Sequence, residues 1–129
     1  MLYDDEKDYV MRMIKEAARV MFSVLLGKKY TQVELEQEGK FEVSGRGVDS
    51  YKELIDRGEI NEAENLLLDE LDYTNQEEVA AAVLIYQYMG EKGEEFLRMH
   101  QYSQEEVLDG LEQLGKKAGY EGVVRPQGY

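Results

Sequence analysis

Apolar positions along this chain recur mostly at intervals of three and four residues, the spacing that gathers them on one face of an α-helix. Over about residues 4–26 the series is Val10, Met13, Ile14, Ala17, Met21, Val24 and Leu25. The polar stripe opposite it (Asp8, Arg12, Lys15, Arg19, Ser23) is narrow, and toward Leu26 the helix turns apolar almost all round before Gly27 stops it. From Val48 onward the helical signals repeat. A helix over about 49–57 carries Tyr51, Leu54 and Ile55 inward and ends at Gly58. Asn61, with Glu64 three residues on, reads as the cap of a helix to about residue 71. Asn75 with Glu78 caps the next, over 76–89, whose run from Val79 to Tyr86 is apolar on every side, as in a helix buried at the centre of a domain. Gly90 is its expected stop. A short helix follows over about 92–100. Ser103-Gln104-Glu105-Glu106 opens the last one, and Lys116, Lys117 and Gly119 mark its end.

Residues 31–47 allow two readings. Thr31-Gln32-Val33-Glu34 is a capping box and Gly39 a stop, which favours a two-turn helix. Val33, Leu35, Phe41 and Val43 also alternate about Glu38-Gly39 as a short hairpin would. Ser44-Gly45-Arg46-Gly47 is a loop in both. The pattern as a whole predicts an all-α fold of five to seven helices. They form one domain over 1–118, with an antiparallel helix hairpin at about 49–72. Residues 119–129, with three Gly and one Pro, form a flexible tail.

Two resemblances follow from particular residues. The stretch Leu54-Ile55-Asp56-Arg57-Gly58-Glu59-Ile60-Asn61-Glu62-Ala63 resembles the centre of a tetratricopeptide repeat, where a Gly ends the first helix and a small Ala lets the second pack closely. Gly90, 32 residues after Gly58, reads as a degenerate second copy near the 34-residue period. The segments Asp8-Tyr9-Val10-Met11-Arg12-Met13-Ile14-Lys15, 58–67 and Tyr102-Ser103-Gln104-Glu105-Glu106-Val107 with Gly110-Leu111 together resemble a family of short uncharacterised proteins of Gram-positive anaerobes. That family is a domain of unknown function, so the resemblance implies a compact helical domain and brings over no catalytic residue.

Composition narrows the chemistry. The 129 residues include no Cys, which removes disulfides, thiol catalysis and thiolate metal sites. A net charge of −13 opposes nucleic-acid binding, which needs clustered Lys and Arg. The acid is concentrated: residues 31–100 hold eighteen acids against six bases, and 58–91 hold nine acids with no Lys or Arg. The N-terminus is acidic where a signal peptide would be basic, and no apolar run reaches the 18 or so residues of a membrane span. Elimination leaves a cytoplasmic protein.

No catalytic motif emerges. His100 is the lone histidine, placed near a helix end where such a residue ordinarily meets the helix dipole or solvent. The acidic run from Asp69 to Glu78 is no EF-hand, because Thr74 stands where the loop glycine belongs and Leu71 where an oxygen ligand belongs. No Glu-x-x-His pair is present for a di-metal bundle, and the Gly-rich loop at 44–47 lacks the Lys-Ser/Thr of a phosphate loop. The reading is therefore a protein without catalytic, cofactor or metal residues. It is a non-enzymatic interaction or scaffold module for a protein or peptide of basic character, with the outer stripe Glu62, Asn65, Asp69 and Asp72 facing that partner. The rival reading is a small-ligand binder or carboxylate enzyme using Asp, Glu and Tyr in a pocket between helices. The wide apolar face of the first helix raises a further expectation, a homodimer seam at Phe22 and Leu26.

Overall fold

The computed structural model describes residues 2–27 and 41–120. Among these residues lie six helices and one small hairpin: α1 (Leu2–Leu26), β1 (Glu42–Val43), β2 (Arg46–Gly47), α2 (Val48–Asp56), α3 (Ile60–Glu70), α4 (Gln76–Glu91), α5 (Glu94–Met99) and α6 (Gln104–Lys117). The all-α reading holds. The choice between helix and hairpin over 31–43 falls largely outside the described residues, as does the expected tail from residue 121. The tail's first residues are held in place: the Tyr120 amide donates to the Gly115 carbonyl at 2.7 Å, and Gln76 donates to the Tyr120 hydroxyl.

Helix α4 is the centre. Residues 79–87 are buried without a break, because α1, α2, α6 and the β1 strand all pack on it. Gln87 is the polar exception, with a buried Oε1 that meets no donor among the described residues. α1 supplies the largest neighbouring wall, burying Ile14, Ala17, Ala18, Met21, Phe22 and Leu25. At its end α6 closes against both α1 and α4. Fully burying a Leu- or Phe-sized side chain contributes roughly 1.5–3 kcal/mol, so this three-helix seam is the main source of cohesion.

The helix ends show which local signals survived tertiary packing. Asn75 accepts from the Glu77 and Glu78 amides, and Ser103 accepts from the Glu106 amide, as their spacing requires. Gly58 (φ +85°) and Gly119 (φ +93°) both close α-helices in a left-handed conformation. In each case the next amide reaches back over the turn, Glu59 to Leu54 and Tyr120 to Gly115, which is the Schellman pattern.

Three expectations need correction. Asn61 does not cap α3. The helix begins at Ile60, two residues before the start that such a cap implies; the Ile60 side chain is fully buried, and Glu59 occupies the cap position without a side-chain capping bond. Burying Ile60 outweighs a surface cap worth about 1 kcal/mol. Nor does Gly90 stop α4: it lies inside the helix, where Ile14 of α1 packs so closely that a Cβ would stand 3.0 Å from its Cδ1. The second repeat-like helix end is thus absent, and α5 starts only at Glu94, after Gly93 (φ +92°). Finally, Ser44-Gly45-Arg46-Gly47 is more than a loop. Ser44 (φ +49°) and Gly45 (φ +81°) form the two-residue turn of an antiparallel hairpin pairing Val43 with Arg46. The Ser44 hydroxyl donates to the Glu70 carbonyl, and Glu78 accepts from both the Ser44 and Asp72 amides.

Candidate functional site

The side of α4 facing α3 and α6 carries polar chemistry. Tyr86 is 1% exposed, and its ring lies so near α6 that a Cβ on Gly110 would sit 2.4 Å from it. Only glycine allows that approach. The ring's hydroxyl then reaches α3 and donates to Glu64 Oε2 at 2.7 Å. Burial, and next the Glu64 charge, push the Tyr86 pKa far up, so the phenol stays protonated.

Tyr102 enters the same space from the α5–α6 turn. Gln101 there adopts a left-handed conformation (φ +60°), costly for a residue with a side chain. Two bonds hold it: the Tyr102 amide donates to the Leu97 carbonyl at 2.9 Å, and Asn61 Nδ2 donates to the Gln101 carbonyl at 3.2 Å. The asparagine that does not cap α3 therefore braces the turn that aims Tyr102 inward. Tyr102 is 3% exposed and its hydroxyl meets no protein hydrogen-bond partner among the described residues. Burial first, and the Glu64 carboxylate second, raise its pKa.

Between these groups opens a cleft of about 320 Å³. Glu64 and Leu68 of α3 form one wall, and Glu106, Asp109 and Leu114 of α6 form the other. Lys117 reaches its rim, with Nζ 5.5 Å from the centre of the Tyr73 ring. The cleft offers carboxylate and phenol oxygens around an apolar interior, a setting that attracts cations. No group of three or more His, Asp or Glu side chains among the described residues is placed to hold a metal ion.

The four residues of the expected stripe are all exposed. Glu62, Asn65 and Asp69 lie on α3, Asn65 and Asp69 each one residue along from Glu64 and Leu68, which line the cleft. Asp72 has left the helix: its carboxylate accepts from the Thr74 amide (2.9 Å) and hydroxyl (2.6 Å), and these bonds, the hydroxyl's first, lower its pKa. The expected seam residues are separated. Phe22 is 2% exposed and belongs to the chain's own core, whereas Leu26 is half-buried. His100 is held within the fold. Its Nδ1 bonds the Phe96 carbonyl at 2.8 Å, and its ring fills the space a Cβ on Gly58 would need, 2.2 Å from Cδ2. The histidine thus wedges α5 against the α2–α3 turn.

The sequence reading missed Tyr86, Tyr102, Glu64 and Gly110 as a group. They are 22, 16 and 8 residues apart or more, and a glycine inside a helix-capped segment was the one unexplained letter among them. A larger space of about 600 Å³ runs along α1, but α1 alone walls it among the described residues.

Fold and site together define a small all-α domain with a tyrosine-lined acidic cleft beside its central helix. The chain belongs to a family of unknown function (DUF6483), whose match spans residues 4–119. No curated protein and no solved structure matches it.

Proposed function

We propose that the protein is a non-enzymatic interaction module that binds a basic protein segment on its α3–α6 side, in the cytoplasm. The observation that carries this reading is the pairing of an exposed acidic stripe with an acidic cleft on the same helix, in a stretch of 34 residues (58–91) that contains no Lys or Arg. Such a surface concentrates positive charge and repels acidic partners and nucleic acids. The tetratricopeptide-like hairpin formed by α2 and α3 is the element that presents it, with Ala63 fully buried at its packing face.

A fluorescently labelled Lys-rich decapeptide tests the reading by anisotropy. Binding is expected, with affinity falling about tenfold as salt rises from low to physiological strength and beyond, since exposed charges are screened over about 10 Å at 0.1 M. The double change Glu62→Lys and Asp69→Lys is expected to weaken it further. Equal binding of a Glu-rich decapeptide, or none of the Lys-rich one, overturns the proposal. The cleft also favours a second reading, a small-ligand site or carboxylate enzyme built on Glu64, Tyr86 and Tyr102, because these groups converge in a space between helices.

A further inference from the structure

The cleft contains one group that the fold leaves unused. Tyr102 is buried, its hydroxyl lies by the Glu64 carboxylate without a well-formed hydrogen bond to any described residue, and its turn holds a left-handed glutamine to bring it there. A buried hydroxyl without a full hydrogen bond destabilises the fold that holds it. The energy of placing it is recovered when something in the cleft bonds to it.

We propose that Tyr102, Tyr86 and Glu64 form a subsite for a single primary ammonium group, supplied by a lysine side chain of the bound segment. This rests on the reading of the protein as a module for basic partners and names the chemistry at its centre.

Charge selects a cation first. Glu64, Glu106 and Asp109 line the cleft against one base, Lys117, which is drawn to the face of Tyr73 at the rim. Hydrogen-bond geometry then selects among cations. An ammonium is a compact charge with three donors on a rotatable stem. Beside the Glu106 and Asp109 carboxylates, three acceptors meet around Glu64: the Tyr102 hydroxyl, the lone pairs of a Tyr86 hydroxyl whose proton is committed to Glu64, and the Glu64 carboxylate itself. A guanidinium prefers two parallel bonds to one carboxylate, and here Tyr86 already occupies Glu64 Oε2. The stem has its own surface: Leu68 and Leu114 supply apolar wall in a space of about 320 Å³, which holds a four-carbon chain and its head.

The test titrates the whole protein with four probes, read by NMR shifts of the Gly110 amide and the tyrosine rings. The probes are Nα-acetyl-lysine methylamide, its Nε-acetylated form, the arginine counterpart and n-butylamine. Each is run on the native chain and on Tyr102→Phe, alongside the Lys-rich decapeptide. The lysine probe and n-butylamine are expected to bind, the Nε-acetylated form not, and the arginine probe more weakly. Tyr102→Phe is expected to lose about tenfold or more in lysine affinity, the worth of one hydrogen bond to a charged group. Its urea midpoint should stay equal or rise, because an unpartnered hydroxyl has been removed. A purely structural Tyr102 would not separate these two readouts.

Unchanged lysine affinity in Tyr102→Phe, or equal binding of the Nε-acetylated probe, overturns the subsite. If the decapeptide still binds in that case, the interaction module stands without it. If n-butylamine binds in a Tyr102-dependent way while the decapeptide does not, the subsite stands, its ligand is a free amine, and the peptide reading falls.

Discussion

Helix α4 meets the rest of the molecule through two unlike flanks that use the same device. Toward α1, Gly90 lets Ile14 pack directly on the helix. Toward α6, Gly110 lets the Tyr86 ring do likewise. On the first flank the large side chain is wholly apolar, and Ala17, Ala18, Met21 and Phe22 extend a dry seam around it. On the second it ends in a hydroxyl, so a carboxylate must be brought from α3, and a polar cleft opens around the pair. Close approach through glycine is neutral between structure and function. What decides is whether the buried side chain carries a polar end that must be satisfied.

The comparison breaks most severely at Phe22. Phe22→Glu places a charge in the dry seam, at a position that is 2% exposed. The penalty of several kcal/mol is a large part of a typical total of 5–15 kcal/mol. The expected outcome is loss of helical circular dichroism. A variant that stays folded but changes mass in light scattering would return Phe22 to a subunit interface.

Alkaline pH attacks the other flank. Burial, aided by the Glu70 charge, pushes Tyr51 up to about 12, and Tyr86 and Tyr102 are raised further by burial and Glu64. The folded state therefore keeps protons that the unfolded chain releases near pH 10. Stability is fully present below pH 10 and declines as pH rises through the folded values. Tyrosinate absorbance should show a late cooperative step that coincides with loss of helix. A smooth rise near pH 10 with helicity intact would mean that the cleft tyrosines are open to water.

The smallest effect sharpens the two glycines against each other. Ala gains up to about 1 kcal/mol over Gly in a helix interior. At Gly90 the new Cβ would meet the end of the flexible Ile14 side chain at 3.0 Å, so the two effects nearly cancel. At Gly110 it would meet the Tyr86 ring at 2.4 Å, and overpacking of 1–3 kcal/mol or so prevails. Urea midpoints should fall clearly for Gly110→Ala and little for Gly90→Ala. Equal midpoints would show that Tyr86 swings aside at no cost.

The helices, the central position of α4 and two of the caps are written in the sequence itself. Periodicity and burial obey the same 3.6-residue geometry, and the Asn75 and Ser103 side chains bond only to partners two or three residues away, so nothing distant can alter them. Asn61-Glu62-Ala63-Glu64 shares its first and last letters with Asn75-Gln76-Glu77-Glu78, yet Asn61 and Glu64 serve partners 40 and 22 residues away. Burial of Ile60 shifted the helix start by two residues, and the freed side chains turned toward α5, α6 and α4. The cleft exists only as a result of that redirection. Local rules determine which segments become helices, because their energies depend on near neighbours. Tertiary packing alone decides which polar groups meet, because the cost of leaving one unpaired depends on what the fold brings beside it.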